Sequence, residues 1–159
     1  TCRLARRAVP VGADDTTQIM YYKIAAAQTA MIPEAIARLT EGGALASSGL
    51  PQLDLPKRGP DDANIRWTDP APSIHNLVRA VARPFHGAFF AADGRPQTLW
   101  QTRLWDADLP PGAPGEVVAL FDAGVALVRA GQGGLLLLEH SHQAIALGER
   151  LGDGCGPPG

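Results

Sequence analysis

Two histidines separated by one residue, His140-Ser141-His142, are the clearest chemical spacing in this chain. Side chains two apart on a strand share a face. Two imidazoles so placed are half of a metal site, and a third ligand is still required. Glu139 is adjacent, but on a continuing strand it points to the other face. The competing reading is a solvated strand end with no metal. Asn76 and Arg79 lie three apart and are therefore neighbours on a helix. A guanidinium there could pair with a substrate phosphate; equally, Arg79 suits an interdomain salt bridge and Asn76 a loop cap. These two are the candidate substrate-binding residues. His86 precedes Gly87 in a tight turn, where it either reaches a cleft or holds the turn. Gly131-Gln132-Gly133-Gly134 lacks the strand-then-helix context of a phosphate cradle and reads as a turn. Ser47, Ser48, Asp54 and the four histidines assemble no nucleophilic triad. Trp67 and Trp100 read as core or interdomain packing, with stacking on a base as the alternative.

Composition limits what these residues can serve. The 159 residues are 45% hydrophobic, enough for a core, and the 18 glycines and 14 prolines predict many turns. No apolar run approaches the roughly 20 residues that span a bilayer, so no membrane partner is expected. The first residues are not a signal peptide. With no initiator Met, the chain reads as a piece of a longer protein. Cys2 and Cys155 sit at opposite ends without a CxxC, which suits a reduced, cytoplasmic protein. Residues 1–59 carry a net charge of +2; from Pro60 onward seven Arg, no Lys and eleven acids give −4. A domain that grips a polyanion usually presents a basic face, and this half has no such excess. Arg6-Arg7 and Lys57-Arg58 are too short to supply one.

The elements that must position these residues fall into two groups. Residues 8–11 could form an edge strand limited by Pro10. Asp14-Asp15-Thr16 then offers a helix start, and Met20, Ile24, Ala27 and Met31 recur as a helical stripe. Pro33 interrupts it, by a kink or by opening a second short helix, and Gly42-Gly43 stops it. Residues 44–59 read as a linker. Residues 70–83 form a second helix with Ile74, Leu77, Val78 and Val81 buried and His75 and Arg79 elsewhere on its surface. Strands follow at residues 88–91, 97–105, 116–121, 123–128 and 134–139, with Asp93-Gly94 as a hairpin turn. Five short strands at regular spacing suggest a small barrel. The tail from Leu147 should fray.

The segment from Pro60, PDDANIRWTDPAPSIHNLVRAVARPFHGAF, resembles the C-terminal region of formyltransferases that use 10-formyltetrahydrofolate. Its wording is most similar to the formyltransferases acting on UDP-4-amino-4-deoxy-L-arabinose. Methionyl-tRNA formyltransferases share a looser form: isoleucine–x–tryptophan, a helix ending in Arg-Ala, then a proline and a small residue before a barrel. Residues 14–39 also look like the helix that closes the folate-binding domain of that family. The resemblance implies an α+β chain. Residues 1–43 would be the end of a Rossmann-like catalytic domain, 44–59 a linker, 60–146 an OB-like antiparallel barrel with one leading helix, and 147–159 a flexible tail.

It also implies an activity. In that family a substrate amine attacks the formyl carbon while an Asn, a His, an Asp and a Ser-Leu-Leu-Pro type loop handle protons and the oxyanion. All those positions would precede Thr1, so this segment alone is expected to be inactive and to bind no 10-formyltetrahydrofolate. The acceptor expected first is the amine of a nucleotide sugar, favoured by the wording of residues 60–90 and by the absence of Lys from that half. Methionyl-tRNA, with a tRNA partner, ranks second. A barrel that only binds a partner is a third, non-catalytic reading. The first helix, without its domain, should expose its stripe and favour self-association.

Overall fold

The computed structural model describes residues 5–42 and 54–157. The chain divides into two compact units, residues 1–57 and 58–159. The greater part of the expected linker, residues 44–53, lies outside the described residues; 54–59 are exposed and form no regular element until Pro60.

Among the described residues of the first unit, one helix, α1 (Thr17–Thr40), accounts for the regular structure. Thr16 caps it, its hydroxyl accepting from the Ile19 N–H at 3.4 Å, which satisfies one orphan donor of the first turn. Asp15, the other expected cap, instead accepts from the Gly12 N–H at 2.6 Å and pairs with Lys23. Pro33 stays inside one continuous helix of 24 residues and opens no second one. Its lost hydrogen bond is a local defect that the flanking turns span. Residues 8–11 form no strand, because Pro10 lacks a donor and the described part of this unit offers no strand to pair with. No residue of α1 is buried. Met20, Ala27 and Met31 are half-covered, while Ile24, Ile36 and Leu39 are exposed.

The second unit opens with a 3₁₀ turn, Pro60–Ala63, followed by α2 (Ala71–Val81). Five strands follow: β1 (Ala88–Ala92), β2 (Arg95–Leu104), β3 (Val117–Leu120), β4 (Ala126–Arg129) and β5 (Gly134–His140). They make one sheet in the order β1-β2-β5-β4-β3, with every neighbouring pair antiparallel. The α+β class and the antiparallel sheet behind a leading helix are those the family resemblance implies. Asp93 and Gly94 join β1 to β2 with φ of 50° and 70°. Positive φ at both positions is what a two-residue turn matching strand twist requires. The core gathers Ile65, Trp67, Ile74, Val78, Phe90, Leu99, Val117, Val128, Leu135 and Leu137.

Two expectations are corrected here. Residues 148–156 of the tail do not fray. Val117 donates to the Glu149 carbonyl and Leu151 to the Gly115 carbonyl, while Gly152 and Ala91 exchange both backbone bonds. The segment thus joins the β3 edge to the β1 edge and satisfies backbone groups that both edges would otherwise present to solvent. Leu151 is 2% exposed in the core, which holds the segment in place. The second correction concerns α2, whose buried stripe is Ala71, Ile74, His75 and Val78. It is turned relative to the expected one, leaving Leu77 and Val81 half-buried at its border. His75 is therefore inside, because a partner waits there: its Nδ1 lies 2.9 Å from the Thr102 hydroxyl.

Candidate functional site

The turn of α2 that buries His75 places Asn76 and Arg79 on the outer side of the helix, where a spacing of three residues stacks them on successive turns. Arg79 Nε donates to Asn76 Oδ1 at 2.8 Å. The two candidate residues are therefore brought together, and Asn76 orients the guanidinium rather than capping a loop. Asn76 is exposed and Arg79 half-buried.

Arg83 follows just after the helix. Its Nε and a terminal N–H donate to Glu139 Oε1 at 3.1 and 2.9 Å, and its guanidinium carbon sits 4.6 Å from the centroid of the Trp100 ring. The β2–β5 register shifts between Leu99 and Gln101 and again before Thr102. Trp100 shares its side of β2 with Thr98, both side chains standing against Gly87, and from there its ring meets Arg83. Trp100 was expected as packing; it is instead a half-exposed ring under a cation. Helical spacing does not place Arg83, because the helix ends at Val81. Nothing in the sequence marks the register shift. Phe85 and His86 are exposed beside this edge.

The arrangement can recognise rather than react. Two guanidiniums and a half-exposed indole suit a phosphate and a flat ring. The ion pair with Glu139 is half-exposed on both sides and so contributes little to stability.

The two histidines of the His140-Ser141-His142 motif do not converge. His140 ends β5, and its Nε2 lies 3.0 Å from the Gly124 carbonyl. Ser141 returns to β2, accepting from the Thr98 N–H at 2.9 Å. His142 is 6% exposed, not solvated, and faces Glu149. Glu139 belongs to Arg83. Gly131 lies in a turn, where a Cβ would stand 1.9 Å from the Thr68 carbonyl oxygen; its role is close packing. Trp67 is core, donating from Nε1 to the Gly152 carbonyl at 3.0 Å and standing edge-on to Phe90.

The family model for the formyl transferase C-terminal domain matches residues 58–146. The chain belongs to the formyltransferase C-terminal domain family. Similar proteins are the methionyl-tRNA formyltransferases of Burkholderia mallei (strain ATCC 23344) and Burkholderia pseudomallei (strain K96243). Each is 36% identical over 134 residues, covering 80% of this chain and 39% of the relative. The chain thus spans about two-fifths of the length of these relatives. Both carry the methionyl-tRNA name, the acceptor ranked second from sequence; the nucleotide-sugar acceptor ranked first draws no support from them. The formyltransferase match stops at residue 146, yet this domain closes its sheet with the segment that follows.

In the first unit an open groove is lined by Arg7, Ala8, Val9, Pro10, Lys23, Ala26 and Ala27. Its side chains are aliphatic or cationic and include no carboxylate or amide acceptor for a pterin's N–H groups. Among the described residues, no helix is long and apolar enough to cross a membrane.

Proposed function

We propose that this chain is the C-terminal part of an N-formyltransferase that formylates the amino group of methionyl-tRNA. In this reading the barrel domain holds the tRNA along the Asn76–Arg79–Arg83–Trp100 edge. The observation that carries the proposal is the 36% identity to methionyl-tRNA formyltransferases over 80% of the chain. The formyl group would come from 10-formyltetrahydrofolate bound by the family's catalytic domain, and this chain's residues supply none of the reacting groups. Their part is positioning: a nucleic acid fixed by phosphate contacts presents its aminoacyl end to chemistry elsewhere.

The charge balance shapes the expected binding mode. From Pro60 onward the net charge is −4, so a broad electrostatic grip is absent and contact must be local. Two arginines contacting two phosphates release few counterions, and log K should fall with log salt with a slope of about −2. The same acidic balance is what favours the second reading, a nucleotide-sugar acceptor.

The test compares tRNA binding to the chain at 50 and 200 mM salt. A weak, shallow salt dependence is expected, with Arg79→Ala and Arg83→Ala each reducing the slope by about 1. Binding that ignores both substitutions would remove the proposed edge. If the full-length enzyme formylates an amino sugar nucleotide and not methionyl-tRNA, the acceptor assignment fails.

A further inference from the structure

We propose that Asp93, His142 and Glu149 form a binding site for a zinc-type dication that fastens the C-terminal segment to the β1–β2 hairpin. The three residues come from separate places: Asp93 from the turn between β1 and β2, His142 from beyond β5, and Glu149 from the segment closing the sheet. One ligand atom from each lies within 4.8 Å of the others.

The site is held in shape. His142 Nε2 lies 2.9 and 3.1 Å from the two Glu149 oxygens. Glu149 Oε2 also accepts from the Ala146 N–H at 2.9 Å, which fixes the carboxylate. The Glu149 side chain is 16% exposed, so this charge sits largely out of water. The tight Asp93-Gly94 turn sets the third ligand.

A carboxylate oxygen of Asp93, one of Glu149 and an imidazole nitrogen of His142 share one small space, and a dication there would be ligated by all three. Metal–ligand bonds of about 2.0–2.2 Å place tetrahedral ligand atoms about 3.3–3.6 Å apart. The cluster brackets that spacing, so closing it on a metal takes shifts on the order of 1 Å. One nitrogen and two carboxylate donors suit zinc, and they are too few and too nitrogenous for calcium or magnesium. Asp93 is exposed, leaving room for a water as fourth ligand. His140 takes no part, being held at the Gly124 carbonyl.

The experiment is equilibrium dialysis of the 159-residue chain, with Cys2→Ser and Cys155→Ser to remove competing thiolates, against Zn²⁺ and separately Mg²⁺. One equivalent of Zn²⁺ and no Mg²⁺ is expected. Zn²⁺ at 100 times its Kd should raise Tm by roughly 5–10 °C. Co²⁺ should report the site by its visible absorption. Asp93→Asn is the decisive variant. Its residue is exposed, and Asn accepts the same positive φ, so the fold is kept. It should weaken Zn²⁺ at least the roughly 10-fold that even an outer partner of a metal site is worth. Glu149→Gln should do the same. No stoichiometric Zn²⁺, unchanged affinity in both variants, or binding without a rise in Tm would each overturn the proposal.

Discussion

A buried imidazole is tolerable only with a polar partner, because an unpaired buried group costs about 1–3 kcal/mol. His75 satisfies that condition through the Thr102 hydroxyl, 27 residues away on β2. The consequence is measurable. His75→Ala should lower unfolding free energy by about 2–3 kcal/mol, from lost packing and from the Thr102 hydroxyl left behind. Thr102→Val should cost less alone. A double-mutant cycle by denaturant titration should return a coupling near 1 kcal/mol, and a coupling of zero would show that the two groups act independently. At this scale the sequence was half legible. The Asn76–Arg79 pair follows from helical spacing, and its hydrogen bond is present. His75 was misplaced because periodicity ranks side chains by hydrophobicity and does not reveal a hydroxyl on another strand. The Arg83–Trp100 contact joins the end of α2 to β2, a packing that neither segment's own periodicity defines.

Elements differ in how much they depend on their surroundings. The limits of α1 were readable, since a Thr cap and a glycine with φ of 68° act within one turn. Its cover was not. Ile32, Ile36 and Leu39 are 52%, 56% and 61% exposed, so this helix gains little from burial. A helix with so little burial leans largely on propensity for its stability. We expect the chain to self-associate through α1, with a mass above that of a monomer in light scattering at tens of micromolar. Ile36→Glu with Leu39→Glu should shift it toward monomer. A wild-type chain that stays monomeric throughout that range would contradict the expectation. In α2 the position of the element was legible from Pro70, Pro72 and Pro84, and its rotation was not, because the sheet chooses which side chains it accepts.

At the scale of the whole molecule, the closing segment matters most in the second unit. Deleting residues 147–159 should expose the edges of β1 and β3 together and abolish cooperative melting of that unit. The milder change Leu151→Ala removes one fully buried side chain and should cost about 2–5 kcal/mol. Both are read by calorimetry, and a truncated chain that melts as sharply as the intact one would refute the closing role. The sequence by itself determined the local grammar of the described residues: the positions of α1 and α2, the run of five strands in the second unit and the Asp93-Gly94 turn, which follow from spacing, capping and turn chemistry acting over a few residues. The formyltransferase family was legible separately, from the resemblance of the segment that opens at Pro60. Only the tertiary structure decided that the tail closes the sheet, that His75 lies inside, and that Asp93, His142 and Glu149 meet. Each of these joins residues far apart in the chain. Such pairings are selected by which backbone edges and buried polar groups still need partners once the core has formed.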